Sequence, residues 1–275
     1  MLITDAQVHV WAAHTPERPW PEYGFGKEHR PVPLSSEQLL SDMDEAGVDR
    51  AVLVPPSWEG EYNDLALAAA QAHPDRFAVM GRFEIGDRAN EARMAGWKDQ
   101  AGMLGMRITF LREVQQQWLR DGSVDWFWAR AEELGIPIMV LPPGQIPQID
   151  RVAERHPDLR LVIDHLAMSR EVADPFAMVK DVLTLARRAN VAVKTTCLPG
   201  YTSEPYPFAG IRHHIEAVFD SFGPDRMFWG TDLTRLPCTY RQAITHFTEE
   251  LPFLKGRDLE RVMGTAICDW LGWKY

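Results

Sequence analysis

Eight short apolar runs, strung along the chain and separated by amphipathic stretches, constrain its fold more than any other feature. They are Leu2 to Val10, Arg50 to Val54, Phe77 to Phe83, Leu104 to Phe110, Ile136 to Leu141, Leu159 to His165, Val191 to Leu198 and Met227 to Asp232. Rich in Val, Ile, Leu and Met with little polar alternation, they read as strands buried on both faces, as in a parallel sheet. Helical periodicity fills most of the gaps. Ser35-Ser36-Glu37 opens a capped stretch that stops at Gly47. Others run Asp64 to Ala72, Val124 to Leu134, Ile146 to His156, Phe176 to Ala189, Phe208 to Phe222, Arg241 to Leu251 and Asp258 to Leu271. The alternation predicts an α/β fold, a (β/α)8 TIM barrel in a single domain spanning 1–275. A doubly wound sheet is the competing architecture. It would more often carry a Gly-rich turn after the first strand, and none is there.

The net charge of −10 argues against a non-specific nucleic-acid binder, which needs clustered cations for phosphate contacts. No apolar run approaches the ~18 residues of a membrane span. No basic, apolar leader precedes Leu2-Ile3-Thr4. Cys197, Cys238 and Cys268 lack CxxC spacing and read as reduced thiols. The expectation is a cytoplasmic enzyme or binding protein.

Barrel chemistry is built at the C-terminal ends of strands. Strand one delivers Gln7 and His9, two residues apart and therefore on one side. Strand three ends in Arg82 and Glu84, strand four carries Arg107 with Arg112 beyond, strand six ends in His165, strand seven holds Lys194, and strand eight ends in Asp232 with Arg235 just after. His9, His165 and Asp232 offer two imidazoles and a carboxylate, and a catalytic zinc site commonly uses three such ligands. Asp232 could instead take the proton of water as general base. Gln7 stands where such a pocket would want a His, and its amide oxygen is a poor zinc ligand. It could hydrogen-bond a substrate carbonyl or the nucleophilic water. A divalent metal, zinc foremost, is therefore one alternative, and a weakly held metal or none is the other. Arg107 and Lys194, with Arg112 and Arg235, suggest a small anionic substrate, since a guanidinium forks onto a carboxylate. Salt bridges such as Arg107 with Glu84, or Lys194 with Asp232, are the competing reading. Trp11 after strand one and Tyr201 in the loop Pro199 to Pro207 are candidate pocket-lining residues. The Pro-rich stretch His14 to Pro33 predicts a long loop over the same face, serving pocket closure or a contact in a homo-oligomer.

Several strings together resemble the amidohydrolase superfamily: Asp5-Ala6-Gln7-Val8-His9-Val10-Trp11, Gly105-Met106-Arg107, Leu161-Val162-Ile163-Asp164-His165-Leu166-Ala167, Val193-Lys194, Phe222-Gly223-Pro224-Asp225-Arg226-Met227-Phe228-Trp229-Gly230-Thr231-Asp232 and Gly264-Thr265-Ala266. The resemblance is to the amidohydrolase-related TIM-barrel hydrolases that include 2-pyrone-4,6-dicarboxylate lactonase and sugar lactonases. It implies His9 as the second His of a His-x-His motif, with Gln7 departing from the first. It also implies His165 as the strand-six His, Asp232 as the general base and Arg107 as the carboxylate-binding Arg. Some relatives hydrolyse lactones without a tightly bound metal.

The resulting expectation is a hydrolase of a small carboxylate-bearing lactone or cyclic ester. Asp232 would activate water, and His9, His165 and Lys194 would stabilise charge. C–N hydrolysis and metal-dependent non-oxidative decarboxylation of an aromatic acid are the alternatives. A non-catalytic small-molecule-binding barrel is the alternative of a different class.

Overall fold

Each apolar run forms one strand in the computed structural model, which describes residues 1–275. The strands are β1 (Thr4–Val8), β2 (Arg50–Leu53), β3 (Phe77–Arg82), β4 (Met103–Thr109), β5 (Ile138–Leu141), β6 (Leu161–Ile163), β7 (Val191–Thr196) and β8 (Met227–Gly230). They pair in sequence order, all parallel, as in a TIM barrel. Side chains alternate across each strand. Ala78, Met80, Met139, Val162, Ala192 and Phe228 form an apolar layer with the C-terminal segment's Ala266, Ile267, Leu271 and Trp273. Their strand neighbours, such as Val79, Ile138, Leu161, Val191 and Trp229, belong to the larger core shared with the helices.

The helices are α1 (Ser36–Ala46), α2 (Asp64–Ala72), α3 (Glu113–Asp121), α4 (Asp125–Glu133), α5 (Ile146–Arg155), α6 (Val179–Leu183), α7 (Arg212–Phe222), α8 (Tyr240–Thr248), α9 (Gly256–Glu260) and α10 (Ala266–Leu271). Three differ from the pattern expected. Between β3 and β4 there are only 3₁₀ turns, and the extra helix α3 follows β4. The apolar signal of α3 is thin, because it buries only Gln115 and Leu119. The expected helix Phe176 to Ala189 is broken into short pieces around α6. A π-helical turn, Arg261–Thr265, separates α9 from α10. There Gly264 passes so close to β1 that a Cβ would lie 2.2 Å from the Leu2 carbonyl oxygen.

Asp5 ties β1 to β8. Its Oδ1 accepts from Thr231 N at 2.8 Å and Gln7 N at 3.0 Å; its Oδ2 accepts from the Thr231 hydroxyl and from Tyr240 Oη at 2.7 Å. Gly230 makes the approach possible, since a Cβ there would lie 2.7 Å from Ala6 N and 2.9 Å from Asp5 Oδ1. Asp232 N then donates to Gln7 O at 2.9 Å. Asp5→Ala would strand four buried donors. At ~1–3 kcal/mol for each unsatisfied group, with part of the loss relaxed, the expected destabilisation is about 3 kcal/mol or more by urea denaturation. An unchanged midpoint would mean that β1 and β8 are held elsewhere. No helix is long and apolar enough to cross a membrane, and all three cysteines are free thiols.

Candidate active site

On β3, β4, β6 and β7 the inward face changes character one step above the apolar layer. Met80 gives way to Arg82, Gly105 to Arg107, Val162 to Asp164 and Ala192 to Lys194. β1 shifts register between Asp5 and Val8, and this irregularity lets Gln7 join the same level. Above this polar level opens a cavity of about 740 Å³ at the C-terminal strand ends. His9, His165 and Asp232, far apart in sequence, all line it, as do Arg107, Arg112, Tyr201 and Arg235. Gln7, Lys194 and Trp11 do not. The first two are fully buried below the floor, and Trp11 packs edge-on against Trp58 at 5.6 Å.

Three turns aim the functional groups at the cost of backbone strain. After β6, His165, Leu166 and Ala167 have φ of 50°, 51° and 51°; after β7 and β8, Cys197 and Asp232 have φ of 60° and 54°. Left-handed conformations cost non-glycine residues roughly 1–2 kcal/mol each. Such strain characteristically concentrates at working sites.

Hydrogen-bond logic sets the state of each group in turn. Lys194 Nζ has only donors and lies 2.5 Å from Gln7 Oε1. The Gln7 amide nitrogen therefore faces His165 Nε2, 3.1 Å away, and donates to it. That leaves the His165 proton on Nδ1, which donates to Thr196 Oγ1 at 2.6 Å. Burial lowers the His165 pKa to about 4, so the ring is neutral. Its free lone pair is thus already used by Gln7, and His165 Nε2 stays 3.9 Å from Asp232 Oδ2.

Lys194 itself pairs with Asp164 Oδ1 at 2.7 Å, and Arg107 Nε with Asp164 Oδ2 at 3.0 Å. Burial opposes ionisation of Asp164, but the two cations outweigh it and hold the carboxyl below its ordinary range. Neither sequence-derived salt bridge, Arg107 with Glu84 or Lys194 with Asp232, forms. Lys194 also has no exposed surface with which to meet a substrate, and Gln7 serves to orient His165.

His9 Nδ1 faces the Val54 carbonyl, an acceptor only, so this nitrogen carries the proton. Its Nε2 lies 3.2 Å from Asp232 Oδ1, a buried atom with no hydrogen-bond partner. In the neutral ring two lone pairs face each other, and a cation, either a proton or a metal ion, would relieve that. Burial works against Asp232 ionisation, yet the surrounding imidazoles, His9 foremost, prevail, and the carboxyl is held well below the usual range. His29, from the long loop after β1, completes the group. One ligand atom from each of His9, His29 and Asp232 lies within 4.8 Å of the others.

Two imidazoles and a carboxylate are a donor set that zinc accepts, and the orphaned Asp232 oxygen fits a bound cation. Of the three ligands the sequence suggested, His9 and Asp232 fall in this group and His165 does not; His29 takes the third place, where a metal would have to displace the bond its Nε2 accepts from Arg235, its Nδ1 being on Thr234 Oγ1 at 2.8 Å. Arg235 stands beside it, with Nε 2.5 Å from His29 Nε2 and 3.7 Å from Asp232 Oδ2. Trp58 packs on His29 at 4.4 Å. Arg112 lies over the Tyr23 ring at 4.2 Å, and Arg170 over Tyr201 at 4.8 Å. His29 carried no signal in the sequence, because it belongs to a loop and not to a strand end. Asp164 was legible only as the neighbour of His165.

The family model described as "Amidohydrolase" matches residues 4–266. An L-fucono-1,5-lactonase of Burkholderia ambifaria is 28% identical over 241 residues, covering 83% of this chain and 79% of the relative. Among solved structures, an amidohydrolase of Burkholderia multivorans with bound zinc superposes with a TM-score of 0.81 at 19% identity, covering 99% of each chain. A probable 2-pyrone-4,6-dicarboxylic acid hydrolase of Acinetobacter baumannii with citric acid bound does so with a TM-score of 0.78 at 18% identity, over 99% of this chain and 100% of that one. At these identities the solved structures establish the shared barrel fold.

Proposed function

Because the chain belongs to the amidohydrolase family and is a hydrolase, we propose that it opens a small carboxylate-bearing lactone or cyclic ester. The observation that carries this reading is the buried, unpartnered Asp232 Oδ1 beside His9 Nε2 in the cavity. Two similar proteins named for lactone substrates, the L-fucono-1,5-lactonase and the probable 2-pyrone-4,6-dicarboxylic acid hydrolase, support lactone hydrolysis as the reaction class.

Asp232 accepts a proton from water as the water oxygen attacks the ring carbonyl. The C–O bond to the ring oxygen then breaks, and that oxygen takes the proton back from Asp232 to give a hydroxy acid. Asp232 is ionised at neutral pH and so is ready as a base. Arg235, already beside it, meets charge developing on the carbonyl oxygen. Gln7 and Lys194 contribute by keeping His165 neutral and fixed in the cavity wall. His9, His29 and Asp232 would hold a divalent ion, zinc by preference, and such an ion would polarise the carbonyl and acidify water.

The reading is tested by proton release from a panel of sugar lactones, pyrones and carboxylated lactones, with amides and aromatic acids alongside. The expected result is a kcat/KM of roughly 10⁴ M⁻¹s⁻¹ or more for a lactone. Turnover of amides alone, carbon dioxide release alone, or ligand binding without turnover would each overturn it. Elemental analysis checks the metal independently. His29→Ala should weaken zinc binding by more than the roughly 10–100-fold that loss of an orienting partner costs. Equal zinc content in wild type and variant would remove His29 from the ligand set.

A further inference from the structure

Arg82 is a cation to which the chemistry above assigns no role. It ends β3 directly beside Arg107, its register partner on β4. Arg107 is balanced by Asp164. Arg82 is not: 6% exposed, it donates one long bond, Nη2 to Thr109 Oγ1 at 3.4 Å, while its Nε and Nη1 have no partner. Burial, reinforced by the neighbouring charge of Arg107, lowers its pKa to about 10, which leaves it cationic at neutral pH. Asn63 fixes its main chain on both sides, accepting from Arg82 N at 2.7 Å and donating to Arg82 O at 2.9 Å. The Glu61 and Glu84 carboxylates attract it only from beyond ion-pair distance, and a buried guanidinium without an ion-pair partner is costly to the fold, a cost that two like charges side by side increase. Both Arg82 and Arg107 line the cavity, as does Thr109.

We propose that the missing ion-pair partner is a carboxylate of the ligand, held by Arg82 and Arg107 beside the Thr109 hydroxyl. In strand order this anion site lies at β3–β4, well round the barrel from the His9–Asp232 pair at β1 and β8. The ligand therefore presents its carboxylate at one end and the bond to be broken at the other. A guanidinium with two free N–H groups suits bidentate capture of a carboxylate. Neutral sugar lactones lack that anchor and should be poorer substrates than lactone acids of equal size. The substrate assignment rests on the lactonase reading, whereas the anion site does not.

Malonate binding, measured by calorimetry and by thermal shift, tests the site, with malonamide as the uncharged control of similar shape. Wild-type protein should bind malonate and be stabilised by it, and should ignore malonamide. Arg82→Gln should weaken malonate at least tenfold and abolish the thermal shift. Its own ligand-free melting temperature should stay the same or rise, because an uncompensated charge has been removed. A merely structural Arg82 would instead show a lower melting temperature or fail to fold. That result would overturn the proposal, as would equal malonate affinity in wild type and variant, or no malonate binding to wild type. Malonate is not hydrolysed, so the two readings fail separately. A panel without turnover would remove the lactonase and leave the anion site, and equal malonate affinity would do the reverse.

Discussion

Asp232→Asn is expected to lower kcat by about 10²–10⁴-fold, the range for loss of a positioned general base, while the protein stays folded. The substitution keeps the shape of the side chain, and asparagine tolerates the left-handed backbone that Asp232 adopts at φ 54°. What disappears is the negative charge of the His9–Asp232 pair, which draws the proton from water, and His165 does not stand in for it because its lone pair is already on Gln7. The measurement is steady-state turnover of whichever lactone the panel identifies, alongside circular dichroism and a melting curve. Wild-type turnover in a folded Asp232→Asn protein would refute the general-base role and with it the mechanism.

Lys194→Met is expected to destabilise the protein by about 3–5 kcal/mol, the cost of breaking a buried pair by removing one partner. Asp164 would keep Arg107 but lose its 2.7 Å contact with Lys194, and the carboxylate has no exposed surface through which water could replace it. The same change frees Gln7 Oε1, so the amide can rotate and stop donating to His165. Activity should therefore fall even under conditions where the variant remains folded. The acid limb should respond as well. Asp164 is held below its ordinary pKa, so its contribution is present above the unfolded value and is lost as pH falls through the folded one. Removing Lys194 should raise the pH at which acid unfolding begins. Urea midpoints equal to wild type at neutral pH would show that Asp164 does not depend on Lys194.

Comparing the two variants separates chemistry from support. Asp232 lies at the cavity surface with Oδ1 unpartnered, so its loss should appear in rate. Lys194 lies a level lower with every neighbour engaged, so its loss should appear first in stability. Sequence alone made these two residues look alike, as ionisable groups near apolar strand ends. The distinction is one of depth along the barrel axis.

The sequence by itself determined the barrel, its strand order and the presence of His9, His165 and Asp232 at strand ends. Those features follow from local hydrophobic periodicity and from strands that can bury both faces only when helices cover the sheet. It could not determine which ionisable groups satisfy one another. The pairing of Lys194 and Arg107 with Asp164, the entry of His29 from a loop, and the solitude of Arg82 join or leave alone residues tens to hundreds of positions apart. Whether a buried charge is spent on a neighbour or kept for a ligand depends on distances of a few ångströms between strands that only the closed barrel brings side by side.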